Sequence, residues 1–191
     1  MNNHFKELPN EYKEVYSIDA KDKKTGIIMN VGCLFLMLIT FLITINIKFP
    51  RITFDIDTNF LIAMILFFLI MLIYIVLHEL VHGLFYKILT KEKLTFGLSW
   101  SCAYCGVPNI FVKRNATVIA CLAPFVIFNI IYIVLICALP PNIYTFIITI
   151  LFSYHIGGCI GDLYLSLLLL IKYNKETIVN DTGAKQIIYT K

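Results

Sequence analysis

His78, Glu79, Leu80, Val81 and His82 spell H-E-x-x-H near the middle of the chain. On an α-helix, positions four apart lie about 40° from each other and one turn along the axis, so both imidazoles can grip one ion. Zinc suits two imidazoles and a carboxylate, with a fourth position left for water. Glu79 projects beside such an ion, where it could take a proton from that water and later pass it to a leaving amine. The competing reading is chance, two histidines and a glutamate hydrogen-bonded on a buried helix. In an apolar span that reading must also account for an uncompensated glutamate.

The setting is apolar. Of 191 residues, 59% are hydrophobic and 15% charged, and the mean hydropathy is +0.82. A soluble domain carries roughly 25% charged residues. Composition therefore excludes an ordinary water-soluble globule, a disordered tail protein and a secreted disulfide scaffold. It predicts an all-α polytopic membrane protein in the lipid bilayer, with no nucleic acid partner. No charge occurs over residues 25–47, 58–77 or 115–161. Crossing about 30 Å of hydrocarbon takes about 20 residues, so these runs predict four spans at 27–47, 60–89, 115–139 and 143–171. Pro140, Pro141 and Asn142 separate the last two.

Basic residues orient the spans, because positively charged loops stay in the cytoplasm. The segment before the first span holds Lys6, Lys13, Lys21, Lys23 and Lys24. Lys87, in the last turn of span two, and Lys91, Lys93, Lys113 and Arg114 gather between spans two and three, and Lys172, Lys175, Lys185 and Lys191 follow the fourth. Only Lys48 and Arg51 fall in the first outer loop. Both termini are thus expected in the cytoplasm of a multi-pass cell-membrane protein, with residues 1–26 and 172–191 as tails of one membrane-embedded domain, 1–191. The first 24 residues balance five Lys against five acids, the composition of a solvated or interfacial tail rather than a cleavable signal peptide.

Within the spans the acids and histidines are His78, Glu79, His82, His155 and Asp162. A group of that kind at membrane depth is costly and needs a partner facing the bundle interior. Depth selects the third ligand. His78 lies nine residues before Lys87 and Asp162 ten before Lys172, which puts them at similar levels at about 1.5 Å per residue. His155 is seven residues earlier, about 10.5 Å farther toward the outer face. Asp162 is the better ligand, and His155, on the same helix face, is left to a substrate contact or a structural bond. Gly157 and Gly161 make a small-xxx-small face beside Asp162, and Gly83 follows His82, all suited to close helix approach. Pro124 frees a backbone carbonyl inside the third span and is expected to kink it. Asn129 could bind substrate backbone or bridge helices.

Residues 94–105 alternate apolar and small or polar side chains with period two, a short cytoplasmic β-hairpin-like segment between spans two and three. Its edge could pair with an extended peptide and present it to the ion, or the hairpin could simply lie at the interface. Cys102 and Cys105 form a single C-x-x-C, two of the four ligands of a structural zinc, and no βαβ pattern supports a thioredoxin reading. Cys33, Cys121, Cys137 and Cys159 fall in spans, as packing residues.

HELVH on one span, a cytoplasmic hairpin, LAPFVIFN on the next and an Asp on a third resemble the core of site-2 intramembrane metalloproteases. HELVHGL, AYCGVP, the LAP segment and the late GD are more closely similar to the DUF3267 family of zincin peptidases, over about residues 60–171. The resemblance implies His78 and His82 as zinc ligands, Glu79 as catalytic residue and Asp162 as third ligand. It departs at one point. Site-2 proteases carry their Asp before a Gly, whereas here Gly161 precedes Asp162 and Leu163 follows. The expectation is a zinc metalloendopeptidase that cuts a membrane protein or peptide near the cytoplasmic leaflet. The alternative is a metal-binding membrane protein without hydrolytic activity, a carrier or a protease-like binder. The nearly apolar stretch 60–77 disfavours a carrier's polar path, and a binder would usually have lost the glutamate.

Overall fold

A computed structural model of the chain describes residues 3–20, 22–49, 58–98 and 103–191. In order, the elements are β1 (His4–Phe5), β2 (Lys13–Asp19), α1 (Lys23–Lys48), α2 (Thr58–Thr90), β3 (Thr95–Leu98), β4 (Ala103–Gly106), β5 (Phe111–Lys113), α3 (Arg114–Ala138), α4 (Ile143–Gly158), α5 (Ile160–Lys172), β6 (Ile178–Asp181) and β7 (Lys185–Thr190). Helices α1, α2 and α3 are each long and apolar enough to cross a membrane, and α4 with α5 passes as a fourth span if the pair is counted together. No described side chain of α1 is buried, and Val31, Leu34, Phe35, Leu38 and Ile43 all lie exposed along it. A face of this size would be an aggregation hazard in water, and it is compatible with a multi-pass protein whose solvent is lipid.

Three expectations change. The fold is mostly helical but not all-α, because two antiparallel sheets accompany the helices. The segments expected as tails are strands of one five-stranded sheet in the order β1-β5-β6-β7-β2. β2 pairs along β7 from Lys13↔Thr190 to Asp19↔Lys185, with a register shift between Glu14 and Tyr16. The charges at 1–26 misled because a strand at a sheet edge can leave most of its side chains in solvent, Lys13 to Ser17 here, while pairing through its backbone and burying one residue, Ile18. Lastly, the run expected as one helix over 143–171 is two, bent by 42° around Cys159. Asn142 caps α4 by accepting from the Thr145 N–H at 3.0 Å. At the other end of the chain, Asp22 caps α1 through the Thr25 N–H and hydroxyl, starting that helix before residue 27.

The chain divides into two compact units, residues 1–29, 76–124 and 161–191 in the first and 30–75 and 125–160 in the second. The first holds the sheets and the H-E-x-x-H turn of α2. Its core joins Ile18, Val179 and Ile188 of the sheet to Val118 and Cys121 of α3 and Leu165 and Leu169 of α5. A second cluster packs Tyr86 of α2 against Val107, Ile110 and Val112 and against Ala116 and Ala120 of α3. In the second unit, Gly157 lets α4 approach α1, since a Cβ there would lie 2.6 Å from the Cys33 carbonyl oxygen. Gly161 faces open space, so the expected small-xxx-small pair is used at one position only.

The period-two segment forms the expected hairpin, with β3 and β4 paired from Thr95↔Gly106 to Leu98↔Ala103. Gly83 serves this hairpin rather than a helix contact, because a Cβ there would stand 2.6 Å from Phe96 Cζ. The hairpin also leans on the β6–β7 turn. The Val107 N–H donates to the Asp181 carbonyl at 2.7 Å, and Gly106 sits directly against the backbone of Thr182 and Gly183. Gly183, at φ +88, takes the left-handed conformation that this turn requires. Trp100 and Cys102 lie outside the described residues, and Cys105 is buried on β4.

Two outcomes follow from this packing. Gly106→Ala drives a methyl into backbone that cannot swing away, so it should lower stability by about 1–3 kcal/mol in thermal unfolding of the purified protein. Burial pushes the Cys105 thiol up to about 12, with help from the Glu79 and Asp181 charges. At pH 8 it should therefore resist alkylation in the folded protein and react readily once denatured, as read by mass spectrometry of the labelled peptide.

Candidate metal centre

His78 and His82 are one turn apart on α2, and both are buried. Their Nε2 atoms are 3.2 Å apart. Asp162, in the first turn of α5, brings Oδ2 to 3.4 Å from His78 Nε2 and 3.3 Å from His82 Nε2. The helix period accounts for the first contact, and the restart of the chain at Ile160 carries Asp162 into the other two.

The protonation of His82 is legible from its partner. Its Nδ1 lies 2.9 Å from the Ala120 carbonyl oxygen of α3, and a carbonyl can only accept, so the Nδ1 carries hydrogen and donates it. In the neutral ring Nε2 then keeps a lone pair, directed among His78 and Asp162. Such an anchored ring nitrogen is the usual support of a metal-bound histidine. The separations test which ion would fit. A tetrahedral centre with bonds of about 2.0–2.1 Å holds its ligand atoms about 3.3–3.4 Å apart. The three atoms of this group stand at 3.2, 3.3 and 3.4 Å, and the two imidazoles with one carboxylate form a donor set that suits zinc.

Glu79 follows His78 on the helix and is half-buried. Its carboxylate lies within electrostatic range of His82, His78 and Asp162. A further carboxylate, absent from the sequence expectations, reaches the same region. Asp181 at the end of β6 is buried and accepts a 2.6 Å hydrogen bond from the hydroxyl of Tyr86, one turn beyond His82 on α2. The Gly183 N–H and Gln186 Nε2 donate to its other oxygen at 2.8 and 3.3 Å. Burial pushes the Asp181 carboxyl up, and the Tyr86 hydroxyl opposes that. Its charge is felt at both Glu79 and His82. One signal could have found it: Asp181, Thr182 and Gly183 stand between two β-branched runs, a hairpin turn in what looked like a tail.

His155 and Asn129 come together in the second unit. The Tyr74 hydroxyl is 2.7 Å from His155 Nδ1, and Asn129 Nδ2 is 3.4 Å from Nε2 while it donates to the Phe125 carbonyl at 2.5 Å. The rings of Tyr74, Phe128 and Tyr132 surround the imidazole at 5.7–5.8 Å between centroids. Asn129 thus bridges α3 to α4, one of the two roles expected for it, and His155 takes structural bonds from α2 and α3.

No curated protein and no solved structure matches the chain. The model of the family DUF3267, described as "Putative zincin peptidase", matches residues 70–178. That span is more than half of the chain and contains His78, Glu79, His82 and Asp162, while β7 and the N-terminal strands lie beyond it. With the zinc-type donor set and this match in hand, the chain belongs to the DUF3267 family.

Proposed function

We propose that this protein is a zinc-dependent endopeptidase that cuts membrane proteins or peptides near the cytoplasmic leaflet. The observation that carries the reading is the triangle of His78 Nε2, His82 Nε2 and Asp162 Oδ2, with sides of 3.2–3.4 Å, beside a half-buried glutamate. These three side chains would hold the ion. Bound there, zinc would polarise the scissile carbonyl and lower the pKa of water to about 7.

The chain's own residues supply the rest. The Glu79 carboxylate accepts a proton from the attacking water and returns it to the leaving amine nitrogen. His82 stays oriented through its Nδ1 bond to Ala120. Peptide bonds in a transmembrane helix hide their amides, so the substrate must be opened before it is cut. Among the described residues β3 pairs only with β4, and Phe96 of β3 packs on Gly83, next to His82. An extended substrate added along β3 would therefore lie beside the centre. Lys87, Lys91, Lys93, Lys113 and Arg114 flank the hairpin, and the positive-inside bias supports a reading with this end and both termini in the cytoplasm.

Glu79→Gln is expected to retain zinc and to lower cleavage of co-expressed single-span proteins by about 10²–10⁴-fold, the usual reach of a general base. Cleavage at the wild-type rate would remove Glu79 from the mechanism. His82→Ala and Asp162→Ala should each lose zinc, measured by elemental analysis of detergent-purified protein, and chelation of the wild type should stop cleavage until zinc is restored. Zinc bound with no cleavage of any membrane substrate would favour the non-hydrolytic alternative.

A further inference from the structure

A proline inside a helix withholds the N–H that would close on the carbonyl four residues earlier, and its ring pushes that carbonyl off the helix axis. In α3 the proline is Pro124, the carbonyl is that of Ala120, and the helix continues on both sides. Ala120 is fully buried, so its oxygen needs a donor from another element. The donor is His82 Nδ1, at 2.9 Å.

We propose that Pro124 is a positioning residue for the metal centre: by leaving the Ala120 carbonyl unclaimed within α3, it gives His82 Nδ1–H a fixed acceptor and so presents Nε2 toward His78 and Asp162. The register supports this. Each residue turns the helix by about 100°, so a proline one place earlier would free the carbonyl of Ile119 instead. Ile119 lies on an exposed face, whereas Ala116, Ala120 and Ala123 line a buried one. Small side chains there let the imidazole reach main chain. One substitution of ordinary type, proline, would thus satisfy two needs: an orphan carbonyl in an apolar environment, and a ring that must hold one tautomer.

The inference rests on the zinc reading for its purpose but not for its test, which uses the full chain in detergent. Pro124→Ala returns an N–H to the helix and removes a helix-breaking ring, so the variant should melt no lower than wild type. In the metal-free protein, held at a pH alkaline enough to keep the ring neutral beside Asp162, ¹⁵N-histidine spectra should show His82 as the Nδ1–H tautomer in wild type and as a mixture in the variant. Zinc affinity, read by competition with a chromophoric chelator, should fall about 10–100-fold, the usual cost of losing a supporting bond to a ligand histidine. Pro124→lactic acid, which like proline has no N–H, should keep the wild-type tautomer and affinity. If Pro124→Ala retains both the tautomer and the affinity, the proposal is overturned. If Pro124→Ala does not fold, the lactic acid variant decides alone, and a mixed tautomer in that variant refutes the role. A wild-type chain that binds no zinc would sink the peptidase reading, while the tautomer comparison would still decide what Pro124 does.

Discussion

Electron-rich atoms do not gather at van der Waals distance without a reason. His78 Nε2, His82 Nε2 and Asp162 Oδ2 stand 3.2–3.4 Å apart in an apolar surround, where charges and lone pairs are poorly screened. Only a cation or shared protons can make such a group stable, and the spacing is one that a tetrahedral zinc centre would accept. Much of the first unit serves that convergence. α2 supplies two donors one turn apart, α3 a carbonyl that anchors one of them, and α5 a carboxylate in its first turn.

The sheet is the less obvious half of this scaffold. It brings both ends of the chain together, through β2 on β7, and its β6–β7 turn holds the β3–β4 hairpin by a main-chain bond and close glycine contact. Asp181 ties the same turn to α2 through Tyr86, which lies one turn from His82. The helix that carries the motif and the hairpin beside it therefore share one anchor. Asn180 extends the linkage by donating to the carbonyls of Pro108 and Ile110 at 2.8 and 2.9 Å. The family match ends at residue 178, so this anchor comes from a part of the chain that the family model does not cover.

The second unit has a different character. Its conspicuous polar group, His155, is enclosed by aromatic rings and satisfied by Tyr74 and Asn129, which links α2, α3 and α4. Among helices as apolar as these, side-chain hydrogen bonds of this type supply specificity that apolar contacts cannot. α1, by contrast, is apolar and unburied along its length and packs through points such as Cys33 against Gly157.

Local spacing determined a good deal unaided. The H-E-x-x-H pattern places two imidazoles on one helix face whatever surrounds it, long uncharged runs dictate apolar helices, and strict alternation over residues 94–105 dictates a hairpin. Counting rise per residue pointed to Asp162 on the premise of one helix over 143–171, and the break at Cys159 removes that premise. Pro124 announced a freed carbonyl from sequence alone, but not which donor would take it. Long-range pairing decided the rest. The terminal segments carry charges that read as solvated tails, and only their partners across the sheet reveal Ile18, Val179 and Ile188 as core. Asp181 became part of the site, and His82 acquired its anchor, through contacts between residues 95 and 38 positions apart in sequence, which no periodicity records.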